Sequence, residues 1–338
     1  MSSSTAALQL VDLIQSHRIT AVIYVAAKLG LADLLSNSSK TVSELAEASG
    51  ANQAALARLL TALSTVGLCT MSDHGRYALT ETGAALSGTA KPSLTAWAIF
   101  EGEMLARSWS GMLETITTGS TAAQLLGFNN SFELMAQAPE NVRIFNAAMA
   151  DLTRLVTSDV LASYDFSRVS HLMDVGGGSG ELIGAVVKQY PQIRATVVDL
   201  ERCAHAARSH FAQLGVGDRA SFLAGDFFQS VPSGADAIVL KSVIHDWDDQ
   251  LSRVILQNCC RAIPKEGTLL LIERLMPESP VVCDEHRSHA LSDLNMLRGP
   301  GGKERTEEQY RHLLGSAGFG VTSVRAAGRF AIIEASPL

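Results

Sequence analysis

The chain has 338 residues, 47% of them hydrophobic and 18% charged, with a formal net charge of -7. That length suits two folded units better than a single core, and the apolar excess suits faces covered by an oligomer. The acidic balance and the lack of a basic run count against a nucleic-acid partner.

Five cysteines (Cys69, Cys203, Cys259, Cys260, Cys283) are odd in number, two are adjacent, and none forms a C-x-x-C pair. The pattern is that of reduced thiols rather than of a disulfide frame or a zinc cage. The N-terminal segment has no basic n-region, and the apolar run at residues 19–30 is far short of a membrane span. A soluble, cytoplasmic protein without a membrane partner is expected.

Residues 1–90 predict helices followed by a small hairpin. Thr41 and Glu44 have the spacing of a capping box, and Leu56, Leu59, Leu60 and Leu63 mark one face of a helix that stops near Gly67. Two short strand-like pieces then flank a turn at Asp73-His74-Gly75. Helix, helix, hairpin is the order of a winged helix, yet its would-be recognition helix carries a single positive side chain, Arg58. Phosphate contacts dominate DNA affinity, so a structural or dimerising module is the better expectation. Residues 91–165 predict helices rich in aromatic residues and Met; Phe145 and Met149 are candidates to line an acceptor pocket as well as a core.

From His171 onward, in residues 166–338, short apolar runs alternate with helical segments: HLMDVG, ATVVDL, ASFLAGDF, AIVLKSVI and TLLLIERL. This is the pattern of an α/β, Rossmann-like, doubly wound and mostly parallel sheet. A last pair of runs, GVTSVRAAG and RFAIIEAS, predicts a hairpin at the sheet edge.

The first strand runs into Gly176-Gly177-Gly178-Ser179-Gly180, where glycine lets the backbone approach a ligand closely. A dinucleotide fingerprint starting at Gly178 would need glycine where Ile183 stands, so that pattern fails. The second strand ends at Asp199-Leu200, and a carboxylate there can accept both hydroxyls of an adenosine ribose. The third ends at Gly225-Asp226-Phe227, a carboxylate beside a ring, suited to adenine. Gly176, Gly178, Asp199, Leu200, Asp226 and Phe227 together point to S-adenosyl-L-methionine, with S-adenosyl-L-homocysteine as its product.

The fourth strand ends in Lys241-Ser-Val-Ile-His245-Asp246-Trp247-Asp248-Asp249, facing the same crevice. Methyl transfer from a sulfonium needs an acceptor held in line and relieved of its proton, and no metal. A phenol has a pKa near ~10 and a histidine near ~6.5, so a carboxylate on the far ring nitrogen has to assist His245. Glu273 at the end of the fifth strand and Glu304 in GGKERT are the carboxylates available. His286 and His289 share a helix, but no third ligand accompanies them, so no metal is expected there.

DVGGGSG, VVDL, GDFF, K-x-x-x-HDWDD, IERL-x-P and GGKERT occur in one order along this chain. In that order it resembles the plant caffeate and hydroxyindole O-methyltransferase-like family, which includes bacterial small-molecule enzymes, over nearly its whole length. The resemblance implies His245 as general base, flanked by Glu273 and Glu304. It implies cofactor contacts at Gly176, Asp199, Asp226, Phe227, Lys241 and Trp247. Phe227 departs from the methionine often found there. It further implies Asp246, Asp293, Asn295 and Met296 near the acceptor, and a homodimer formed through the N-terminal domain. The expected reaction is O-methylation of a small aromatic hydroxyl. Amine or carboxyl methylation, and the family's non-methylating hydroxylations, decarboxylations and pericyclic reactions, are the alternatives.

Overall fold

β-branched and leucine-rich runs form strands where both faces can be buried. In the computed structural model, which describes residues 3–338, the runs beyond His171 build one seven-stranded sheet. Three strands precede it in the chain: β1 (Lys40–Thr41), β2 (Cys69–Met71) and β3 (Arg76–Leu79). The sheet itself contains β4 (His171–Val175), β5 (Arg194–Asp199), β6 (Ala220–Ala224), β7 (Ala237–Lys241), β8 (Thr268–Glu273), β9 (Phe319–Ala327) and β10 (Phe330–Pro337). Its order is β6-β5-β4-β7-β8-β10-β9, parallel through β8 and antiparallel in the last two pairings. The expected edge hairpin is present, with β10 inside it against β8.

Successive side chains on a strand point to opposite faces, and the core divides accordingly. Leu172, Val197, Val239, Leu270 and Ile332 pack on one face. Met173, Val198, Leu240, Leu271 and Ile333 pack on the other, with Tyr310 and Leu313 of the helix Glu307–Ser316. Strand order reverses between β4 and β7, and in such sheets ligands bind at the carboxyl ends beside that switch point.

The chain forms two compact units: residues 1–110 with 138–152, and residues 111–137 with 153–338. Segment 91–165 is thus shared between them. In the first unit the strand order is β1-β3-β2, and the helix Val42–Ser49 opens on a complete Thr41/Glu44 capping box. The helix Gln53–Thr65 buries Leu56, Leu60 and Leu63, and the turn before β3 places Gly75 at φ 67°. Phe145 and Met149 pack around Phe100, Ile144 and Ala148 in this unit.

The N-terminal helices Ser3–Gln15 and His17–Lys28 differ from expectation in length of apolar run. Thr5–Lys28, with mean hydropathy 1.2, is long and apolar enough to cross a membrane by length and composition, and little of it is buried. Leu8, Leu10, Leu13 and Ile14 are among its exposed side chains.

Candidate active site

The loop after β4 carries the candidate cofactor contacts. Gly176, Gly178 and Gly180 all have positive φ (78°, 57° and 76°), a conformation side chains resist. At Gly178 the space where a Cβ would stand is open. The Gly178 N–H donates to Asp199 Oδ2 at 2.8 Å, and the Leu200 N–H donates to Oδ1 at 2.6 Å. Two main-chain donors therefore aim the Asp199 carboxylate and leave each oxygen a further lone pair.

Behind the loop Asp174 is buried and one of its oxygens, Oδ1, has no hydrogen-bond partner. Burial pushes its pKa up to about 7. Asp226 accepts from the Phe228 N–H (2.9 Å), and Phe227 lies against Gly176. The rings of Phe227 and Phe228 meet Trp247 edge-on, and Phe132 stacks on Trp247 at 5.8 Å. Trp247 Nε1 is buried without a hydrogen-bond partner.

The turn after β7 carries the candidate base, His245. Ser242 has φ 54°, in the left-handed region where only glycine sits freely. That reversal takes the chain out of the sheet and points the Val243 and Ile244 N–H groups at Glu273 Oε1 (3.1 and 2.9 Å). His245 follows, 6% exposed, so its charges cannot be left to water. Its Nδ1 lies 3.2 Å from Glu304 Oε1 and 3.4 Å from Glu273 Oε2; its Nε2 lies 3.6 Å from Asp246 Oδ1. A proton on Nδ1 is hydrogen-bonded to Glu304 Oε1 and faces Glu273 Oε2, which leaves the Nε2 lone pair as the basic position.

Burial alone would favour a neutral His245, but Glu273, Glu304 and Asp246 outweigh it and raise its pKa to about 9. For Glu304 burial pushes upward, and His245, Ser292 and Arg274 bring it down to about 2. Burial raises Glu273, raises Asp246 to about 7 and lowers Lys241 to about 8. His245, Glu273 and Glu304 also have donor atoms within 4.8 Å of one another, close enough to hold a metal ion by distance. The imidazole between the two carboxylates accounts for that approach by charge alone. His286 and His289 go separate ways: His286 Nδ1 accepts the Val281 N–H, and His289 Nδ1 meets Leu275 O.

Two further residues hold this turn, and the sequence reading missed both. Arg305 is fully buried; its guanidinium donates to the carbonyls of Ile244 (3.1 Å) and Trp247 (2.8 Å), on either side of His245, and to Asp249. Gly302 lies so close to the turn that a Cβ would fall on the His245 carbonyl and the Asp246–Trp247 peptide. The signal was there, in the GGKERT motif that supplied Glu304. Asp293 serves the same assembly, its Oδ1 accepting the Glu304 N–H at 2.9 Å. Met296 is buried and its carbonyl accepts the Gly301 N–H, while the Asn295 carbonyl accepts that of Gly299. Phe145 and Met149 belong to the other unit.

Residues 109–320 match the O-methyltransferase domain and residues 11–88 the O-methyltransferase dimerisation domain. Among curated proteins, the phenazine O-methyltransferase PhzM of Lysobacter antibioticus is 36% identical over 330 residues, covering 97% of this chain and 96% of the relative. The crystal structure of LaPhzM superposes with a TM-score of 0.92 at 36% identity, covering 98% of this chain and 99% of that one. Human N-acetylserotonin methyltransferase, solved in complex with S-adenosylmethionine, gives 0.91 at 26% identity, over 100% and 99%. The chain therefore belongs to the S-adenosylmethionine-dependent O-methyltransferases of the caffeate and hydroxyindole type. Its N-terminal module matches the dimerisation domain of these enzymes, which supports a homodimer.

Proposed function

We propose that this enzyme methylates a hydroxyl on a fused aromatic ring, with His245 as the general base. The observation that supports it most is the imidazole pinned through Nδ1 between two buried carboxylates, with Nε2 left to take a proton. A base of pKa about 9 is also well matched to a phenol near ~10, so the proton transfer is close to thermoneutral. Glu304 and Glu273 fix the ring and stabilise its charged form. The similarity to a phenazine O-methyltransferase supports the fused-ring acceptor.

The residues of the glycine loop fit the cofactor. Gly176 and Gly178 let the backbone approach it, Asp199 with Leu200 would take the ribose, and Asp226 with Phe227 and Trp247 the adenine. Lys241, held by Ser242 Oγ and over the Phe330 ring, would border the same site. When bound, S-adenosylmethionine supplies a methyl group already activated on a sulfonium. This chain's task is then to hold the acceptor oxygen in line, exclude water and receive one proton at His245 Nε2. In this reading Asp246, Asn295 and Met296 would face the acceptor. The five cysteines are free thiols, which supports a reducing, cytoplasmic location.

The test is incubation of the purified protein with methyl-labelled S-adenosylmethionine and a panel of hydroxyphenazines, hydroxyquinones, hydroxyindoles and catechols. Label on an aromatic oxygen is the expected result. Tight cofactor binding with no label on any acceptor would overturn the proposal in favour of non-methylating chemistry.

A further inference from the structure

Arg274, the residue after Glu273, heads an unbroken polar row to the base. Its Nη1 donates to Ser292 Oγ at 2.9 Å, Ser292 Oγ donates to Glu304 Oε1 at 2.7 Å, and the same Oε1 faces His245 Nδ1 at 3.2 Å. Arg274 Nη1 also lies 3.7 Å from Glu304 Oε1 directly. The guanidinium is held over the Phe330 ring at 4.9 Å, and its Nε is buried with no hydrogen-bond partner. An arginine that leaves a buried donor unsatisfied is held there against a cost.

We propose that Arg274, acting through Ser292 and Glu304, limits the basicity of His245 and so lowers the pH at which its Nε2 becomes free to take a proton. The inference rests on the reading of His245 as the base. The physical need follows from the surroundings. Three carboxylates face the imidazole: Asp246 from its own turn, Glu273 from β8 and Glu304 from the Gly301–Thr306 segment. Such a setting overstabilises the imidazolium, and a histidine that never releases its proton accepts no other. A hydroxyl and a guanidinium on Glu304 Oε1 draw charge from that oxygen and weaken its hold on the Nδ1 proton.

Of the other charged and titratable groups around the row, Lys241 also acts on Glu273 and Asp246, and the buried Tyr310 hydroxyl on Glu273 and Glu304. Lys241 on β7 donates to Ser242 Oγ and sits over Phe330. Arg305 is bound to Asp249 and lies over the Tyr310 ring, and Lys303 pairs with Asp249. Asp293 accepts the Glu304 N–H. Among the described residues, Arg274 is the one lysine or arginine ion-paired to Glu304.

The test is titration of His245 by NMR in the full-length homodimer labelled at histidine Cε1, its resonance identified by loss in His245→Ala. Arg274→Met and Ser292→Ala are expected to move the midpoint upward by about half a unit to one unit. Turnover with the best acceptor of the panel should fall about three- to tenfold at pH 7 and recover as pH passes about 10. The double variant should shift little further than the larger single one, because both act on one path. Ser292→Thr, which keeps the hydroxyl, should restore the midpoint. An unchanged or lowered midpoint, or a loss of turnover equal at every pH, would overturn the proposal and leave the two residues structural. Retained turnover in His245→Ala would instead overturn the base reading, a separate failure that the Arg274 and Ser292 titrations do not depend on.

Discussion

The two halves of the crevice are built from different materials. The proposed cofactor side, after β4 and β5, is mostly main chain: three glycines with positive φ and a carboxylate aimed by two N–H groups. The proposed catalytic side, after β7 and β8, is mostly buried side chains, drawn from the segments around 242–249, 273–274, 292–293 and 301–305. Backbone donors keep their direction when neighbours change, whereas a set of buried charges holds only if each member stays paired. Damage to the first half should therefore weaken binding, and damage to the second should stop chemistry in an enzyme that still binds.

The sharpest break in that comparison is His245→Ala. It is expected to lower kcat by about 10²–10⁴-fold while cofactor affinity, measured by calorimetry, stays within a few-fold. Gly302→Ala comes next, because the new methyl group displaces the turn without removing a functional group. A misplacement on the order of 1 Å costs about 10²-fold in kcat, again with cofactor binding kept; unchanged kcat would show that the turn has room to give.

Asp199→Ala probes the other half. Losing hydrogen bonds to a charged group costs about 1.5–3 kcal/mol, so the cofactor Kd should rise roughly 10- to 100-fold, with kcat at saturation much less affected. An unchanged Kd would remove Asp199 from the ribose site.

The smallest effect is graded rather than abrupt. His245 must be neutral to accept a proton, and its pKa of about 9 leaves it charged at pH 7. kcat/KM should climb about tenfold per unit from pH 7 to 8 and level off near 9. The same raised pKa adds stability that is fully present below the unfolded imidazole's ~6.5 and is lost as pH passes through about 9. Activity should rise with pH as this contribution to stability falls, and parallel rate and melting measurements check both slopes.

The cofactor half was readable in the sequence because its parts are local. A glycine run and two strand-end acids each announce themselves within a few residues of a hydrophobic run. Helix and strand periods likewise exposed the doubly wound sheet and the capping box at Thr41. The catalytic half was readable only where resemblance to a family supplied the pairing of His245 with residues 28 and 59 positions away. Ser242 gives no sign of its left-handed turn, because serine carries no preference for that conformation. Arg305 and Gly302 sat inside a recognised motif, but their work lies in contacts with a segment almost 60 residues earlier, which no local pattern encodes. The apolar run was read over residues 19–30 alone, whereas two helices, nearly continuous across Ser16, carry the apolar stretch back to Thr5.

The place of β10 has a consequence for how the chain is made. β8, which ends in Glu273, has β7 on one side and β10 on the other, and its β10 partners are residues 331–335. A ribosome adding about 5–20 residues per second therefore leaves that edge of β8 open for several seconds while the intervening segment is synthesised. During that interval the open edge can pair with another nascent chain, and the carboxylate that fixes the catalytic turn sits on an unfinished sheet. A stall between residues 273 and 331 would release an aggregation-prone fragment in which the glycine loop is already complete, so the binding half of the crevice is made well before the half that does the chemistry.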